Sequence, residues 1–143
     1  ERYQGWKAAI ESSGRSAAAN LAAESYWSSA GGERAMRELL QRAPDIDGVF
    51  ASSDQIALGA LRAIEASGRR VPEDIAIVGF DNIPESEYFR PALTTVHQGL
   101  VRAGRAAVAA VHHGIEAGSE PDETGGQMVT SIEPELVVRS SAI

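Results

Sequence analysis

The sequence predicts an α/β fold, a parallel β-sheet flanked by helices. Three observations carry that expectation. Apolar residues recur at i, i+3, i+4 and i+7 in several windows, the mark of a helix with one buried stripe. Between these windows stand short apolar runs, the clearest being Ile75–Phe80 (IAIVGF), as strands buried on both faces require. The two kinds of segment alternate along 143 residues, a length that suits one compact core.

The elements are expected in the following order. Tyr3, Trp6 and Ile10 recur at helical spacing until Gly14 stops the run. Asn20–Ser25 reads as a short strand. Ser28 or Ser29 then offers a helix cap, and Met36, Leu39, Leu40 and Ala43 mark one helical face that Pro44 ends. Asp47–Ser52 (DGVFAS) reads as a buried strand. Ser52 and Gln55 have the spacing of a capping box, with Asp54 in the first turn of the next helix. Ala57, Ala60, Leu61 and Ile64 continue that helix, and Gly68 closes it with a left-handed cap. After the Val71–Pro72 turn comes the strand Ile75–Phe80. A long loop, Asp81–Ala92, leads to a short strand at Leu93–Val96. A helix follows, with Leu100, Gly104, Val108 and Val111 on one face. Gly118–Gly126 is a polar connection. The tail from Gln127 to Arg139 is extended but broken by Pro134, which cannot serve an inner strand. The composition shift at Thr94–Gly99 suggests that the chain leaves the first sheet there.

Composition narrows the function. The net charge of −7 repels phosphates, so this segment by itself is poorly suited to nucleic acid. Hydrophobic residues at 43% and charged residues at 23% give an ordinary globular balance. Cysteine is absent, which removes thiolate metal sites and fits a reducing cytoplasm. No apolar run approaches the ~20 residues of a membrane helix. The chain opens at Glu1 without a Met, in mid-element, so further sequence upstream is expected.

Ligands in open parallel sheets bind beyond the carboxyl ends of the strands. That rule selects Tyr26 and Trp27, Ser53 and Asp54, and Asp81 with Asn82. An indole plate, a hydroxyl and a carboxylate along one edge suit a small polar ligand. Each has a structural alternative: Trp27 as a lid on the core, Ser53 as a helix cap, Asp54 as a helix-terminus residue, Asp81 as a turn residue. Enzyme signals are lacking, with no GxSxG, P-loop or GxGxxG. His112 and His113 point ~100° apart on a helix and cannot share a metal as an i, i+4 pair can. His97 has no acid or nucleophile grouped around it, and Arg69–Arg70 is too short for a nucleic-acid patch. No cofactor is expected.

The run FASSDQIALGALRAIEASGRRVPEDIAIVGFDNIPESEYFRPALTTVHQ, Phe50 to Gln98, resembles the second half of the sensor domain of LacI-family transcription repressors. RYQGW near the start and EPELVVRSS, Glu133 to Ser141, fit the same pattern, and YFRPALTTVHQ is similar to the purine-repressor branch. The resemblance implies a type I periplasmic-binding-protein-like sensor, with two α/β subdomains closing around an effector. Residues 1–97 would form the C-terminal, effector-binding subdomain. Residues 98–133 would form a crossover, helix and strand of the other, mostly missing subdomain, and 134–143 would return to the first. Trp27, Ser53 and Asp81 match the family's effector contacts, Gln98 its hinge, and Leu58, Leu61, Tyr88 and Phe89 its dimer surface. Ordinary core is an equally good reading of the two leucines.

Two departures stand out. The family's helix-turn-helix and first subdomain are absent, as is the effector-contacting arginine before the first helix, Arg2 lying just beyond that position. Ser53 also stands where relatives often carry Asn. The implied function is effector sensing in a cytoplasmic homodimer, with a sugar-like or purine-like ligand. Operator DNA would be bound only through a helix-turn-helix outside this chain, and no membrane would be involved. The competing readings are a periplasmic sugar-binding receptor of an ABC transporter and an α/β enzyme.

Overall fold

The computed structural model describes residues 1–116 and 131–143. Helix α1 (Arg2–Ser12) carries the spaced Tyr3, Trp6 and Ile10, and Gly14 turns the chain beyond it at φ +77°. Helix α2 (Ser29–Arg42) begins where the Ser28 hydroxyl accepts the Gly31 amide at 3.1 Å. Strand β1 (Gly48–Phe50) follows, then helix α3 (Asp54–Ala66), which Gly68 closes at φ +80°. Strand β2 (Ala76–Asp81), a short 3-10 turn at Pro84–Tyr88 and strand β3 (Thr94–His97) come next. Helix α4 (Leu100–Glu116) and strand β4 (Glu135–Val137) complete the described elements.

The sheet order is β1-β2-β3-β4, and both β1–β2 and β2–β3 are parallel. A βαβ sequence, β1-α3-β2, forms one side of it, with β1 at the edge. Met36, Ile56, Ile64, Ile75, Ile77 and Leu93 form the middle of the core. Helices α2 and α3 cross where Gly32 and Gly59 have no side chain. A Cβ on Gly32 would overlap the Ile56 backbone, and one on Gly59 the Ser29 carbonyl. The helices therefore touch backbone to backbone.

Two expectations about local structure are corrected. Asn20–Ser25 is not a strand; a 3-10 turn covers Ala19–Leu21, and Ala22 is extended without joining the sheet. The segment has no β-branched residue to favour a pleated surface. The Ala22 carbonyl is taken by the Arg42 guanidinium at 2.9 Å rather than by a neighbouring strand. The capping box at Ser52 and Gln55 does not form either. The helix starts one residue later than that spacing supposed, Ser53 caps it by accepting the Ile56 amide at 3.2 Å, and Gln55 meets Ser29 instead. Gly118–Gly126 and the start of the tail, 127–130, lie outside the described residues.

The contacts divide the chain into two units, Glu1–His97 with Leu136–Ile143, and Gln98–Glu135. In the first, the C-terminal tail is threaded through the sheet by hydroxyls. Ser141 Oγ donates to the Ile77 carbonyl at 2.7 Å and accepts the Thr94 amide at 2.8 Å. In the second, none of the described α4 residues is buried, and Leu100, Val101, Val108, Val111 and Ile115 are all exposed.

Candidate functional site

The carboxyl ends of β1 and β2 open on one edge, where the chain turns into α3 and into the loop after β2. The loop after β2 starts there in the left-handed region. Asp81 and Asn82 have φ of +117° and +55°. Positive φ is sparsely populated by residues with a Cβ and gathers where surrounding structure holds it for a purpose.

Asp81 is half-buried. Burial pushes its carboxyl above the usual range, the Arg2 guanidinium pulls it back down, and the Asp54 carboxylate adds to the rise. Arg2 Nη2 stands 3.5 Å from Asp81 Oδ1, and Nη1 donates to the Ser52 carbonyl. The guanidinium carbon lies 3.9 Å from the centre of the Phe80 ring and 5.3 Å from that of Trp27. Phe80 meets Phe50 edge to face at 6.4 Å. A cation is thus held between two aromatic faces and a carboxylate, where ring quadrupoles and charge both favour it.

Trp27 is 68% exposed, so it does not cover the core, and the Arg2 guanidinium lies over its ring. Ser53 is 3% exposed and serves as the cap of α3, the structural side of its two readings. Asp54 is fully buried. Its carboxylate accepts the Thr95 hydroxyl at 2.5 Å and the Ile83 amide at 2.9 Å, tying α3 to β3 and to the loop that carries Asp81. Only glycine at 79 leaves room for it, since a Cβ there would overlap Asp54 Oδ1. Arg139 holds the same loop from the tail, donating to the Leu93 carbonyl at 2.7 Å and to Asn82 Oδ1 at 2.9 Å.

The expectation that Arg2 falls beyond the site is corrected. It is the first residue of α1, and its long side chain reaches back across the sheet edge to Asp81. Phe80 was likewise not singled out by sequence reasoning. Its signal was its place beside Asp81 at the carboxyl end of a buried strand; Arg2 had no such neighbour in the sequence. Tyr26 stands apart from the group, with Arg34 over its ring at 5.2 Å.

The residues expected at a dimer surface separate. Leu58 is 40% and Tyr88 76% exposed, whereas Leu61 at 6% belongs to the core. Phe89 is half-buried against that core. Gln98 opens the second unit, followed by Gly99 at φ +64°. Among the described residues no group of acidic, histidine or cysteine side chains could hold a metal, and no helix is long and apolar enough to cross a membrane.

This arrangement, an open parallel sheet with an aromatic and charged carboxyl edge, has known counterparts. The family model for the periplasmic binding protein-like domain matches residues 1–142. The chain belongs to that family. It is 46% identical over 105 residues to the HTH-type transcriptional regulator CelR of Thermobifida fusca, covering 73% of this chain and 31% of that protein. It is 36% identical over 140 residues to the HTH-type transcriptional repressor PurR of Pasteurella multocida (strain Pm70), covering 98% of this chain and 40% of that one. Among solved structures, a complex of the transcriptional regulator CelR with cellobiose superposes with a TM-score of 0.90 at 38% identity. It is matched over 99% of this chain and 42% of its own. The likeness to LacI-family regulators read from the sequence is borne out, as is the periplasmic-binding-protein-like fold. The chain spans well under half the length of these relatives.

Proposed function

We propose that this periplasmic binding protein-like chain forms one wall of an effector site in a LacI-type transcriptional regulator, and that the effector is a small sugar. The observation that carries this reading is the exposed Trp27 indole beside the Arg2–Asp81 pair. An apolar sugar face stacks on an indole, while vicinal hydroxyls donate to a carboxylate and accept from a guanidinium. Ser53 contributes by fixing the start of α3 at the edge of that wall. The cellobiose complex of the CelR relative supports a saccharide, and the resemblance of YFRPALTTVHQ to the purine-repressor branch keeps a purine as the alternative ligand.

Residues 1–97 act as the effector-binding subdomain, with Gln98 at the hinge to residues 98–133 and residues 134–143 returning. The protein works in the cytoplasm as a homodimer through Leu58 and Tyr88, and performs no chemistry on its ligand. DNA is engaged by a part of the protein outside this chain. Effector binding regulates only if the ligand prefers one arrangement of the subdomains over another.

The test is titration of the full-length regulator with cello-oligosaccharides and with purines, followed by tryptophan fluorescence. A saturable change with a saccharide that vanishes in Trp27→Phe is expected. A response to purines alone, or one retained in full by Trp27→Phe, would overturn the reading.

A further inference from the structure

The turn after β2 carries the positive φ angles of Asp81 and Asn82, and side chains from α3, β3 and the C-terminal tail grip it there. The Asn82 amide donates to Thr95 Oγ1 at 3.3 Å, and the Ile83 amide to Asp54 Oδ2 at 2.9 Å. These two bonds hold the backbone of the turn. The Asn82 carboxamide is held separately. Its Oδ1 accepts from Arg139 Nη2 at 2.9 Å, and its Nδ2 stands 3.4 Å from His97 Nδ1.

Arg139 is itself firmly seated. Its backbone N–H donates to Thr94 Oγ1 at 2.8 Å, and its carbonyl accepts the same hydroxyl at 2.9 Å. Nη1 donates to the Leu93 carbonyl at 2.7 Å and to the Ser86 hydroxyl at 3.2 Å. Thr94 and Ser86 are both buried, so these anchors do not move with solvent. A guanidinium is planar and rigid. Fastened at Nη1 by two acceptors, it has one direction left for Nη2, and Asn82 Oδ1 lies in it.

We propose that Arg139 is a positioning residue of the candidate site: by holding the Asn82 carboxamide it fixes the backbone of Asp81 and so the direction of the Asp81 carboxylate. Its importance for binding rests on the reading of Asp81 as an effector contact. Arg139 itself touches Asn82, Ser86 and Leu93, and acts on Asp81 through Asn82.

The physical reason lies in the backbone. Asn82 at φ +55° is in a region that asparagine tolerates unaided. Asp81 at φ +117° is not, and a residue with a Cβ keeps such an angle only where its surroundings impose it. On one side Asp81 is the end of β2, in register with His97 of β3. On the other side the restraint is Asn82, and Arg139 reaches it from 57 residues along the chain. With both sides held, the carboxylate stays half-buried beside Arg2 instead of swinging into water.

Carbon-13 titration of the Asp81 carboxyl in the full-length protein tests this without a ligand. Arg139→Met and Asn82→Gly each delete the Arg139–Asn82 bond. Glycine takes positive φ at no steric cost, so the second variant serves if the first fails to fold. Loss of a cation by itself raises a carboxyl pKa, whereas release into water lowers one that burial has raised. Both variants should therefore titrate Asp81 closer to its ordinary 3.8 than the parent does. An unchanged or higher value in Asn82→Gly overturns the proposal. Cellobiose titration adds the binding arm. Asn82→Gly should bind roughly threefold or more weakly. Adding Arg139→Met to it should lower the melting temperature further, through Leu93 and Ser86, without a further loss of affinity. A second loss as large as the first would mean that Arg139 acts by another route, and would overturn the proposal. A parent that does not bind cellobiose, or an Asp81→Asn variant that binds it as tightly, counts against the reading of the site alone; the carboxyl titration then decides the role of Arg139.

Discussion

Asp54 and Asp81 are two carboxylates at one sheet edge with opposite circumstances. Asp54 is sealed, and both of its oxygens accept hydrogen bonds, from Thr95 and Ile83. Replacing it by Ala strands those donors, so Asp54→Ala should lose about 3 kcal/mol of stability in urea unfolding. Asp81 is held at positive φ with its carboxyl pushed upward chiefly by burial. A raised pKa means that the native state binds this proton more tightly than the unfolded chain does. Its ionisation therefore costs stability as pH rises from the ordinary value of 3.8 through the raised one. Asp81→Asn should melt no lower than the parent at pH 7, and its melting temperature should lose this component of the acid dependence. If Asp81 accepts effector hydroxyls, the same variant should bind effector roughly tenfold or more weakly by calorimetry. A variant less stable at pH 7 with unchanged affinity would mark Asp81 as structural.

At the scale of elements, the α2–α3 crossing is what positions the site, since it fixes where Ser53 and Asp54 meet the sheet. Gly59 is the test position. Alanine is a better helix former than glycine by about 1 kcal/mol, and an exposed site would gain from the exchange. Here the added Cβ meets the Ser29 carbonyl and the Glu33 backbone amide. Overpacking against backbone outweighs propensity, so Gly59→Ala should destabilise by about 1–3 kcal/mol. Gly68→Ala should also destabilise, for a different reason: at φ +80° it has open space but a left-handed backbone. Thermal melts of both variants distinguish a packing cost from a backbone cost. Gly68→Asn should lose less than Gly68→Ala, because Asn tolerates the left-handed region. Gly59→Asn should lose at least as much as Gly59→Ala, because its larger side chain meets the same backbone.

At the scale of the molecule, Leu58 and Tyr88 are exposed, and the two-fold surface proposed for them can be tested by charge. Leu58→Glu with Tyr88→Glu should give a folded monomer of the full-length protein by light scattering. A dimer that persists would put the interface elsewhere. A cleft obtains affinity by enclosing most of its ligand between opposing walls. Residues 1–143 should therefore bind effector far more weakly than the full-length protein, and equal affinities would put the whole cleft inside this chain.

What the sequence determined by itself follows from local physics. Caps, periodicity and glycine stops located α1 through α4, because each depends on neighbours a few residues away. Apolar runs located β1, β2 and β3, and the carboxyl-edge rule then selected Trp27, Ser53 and Asp81. Tertiary structure decided whatever depends on a partner remote in sequence. Asn20–Ser25 joins no ladder, because pairing needs a neighbour and the Arg42 guanidinium takes the Ala22 carbonyl. Asp54 becomes a buried clamp only because Thr95, 41 residues away, donates to it. Arg2 enters the site only because the fold carries the start of α1 to the edge where β2 ends, 79 residues along the chain. Backbone preferences act over a few residues, whereas side-chain charge and hydrogen bonding act across space, which is why local pattern located the elements and folding assembled the site.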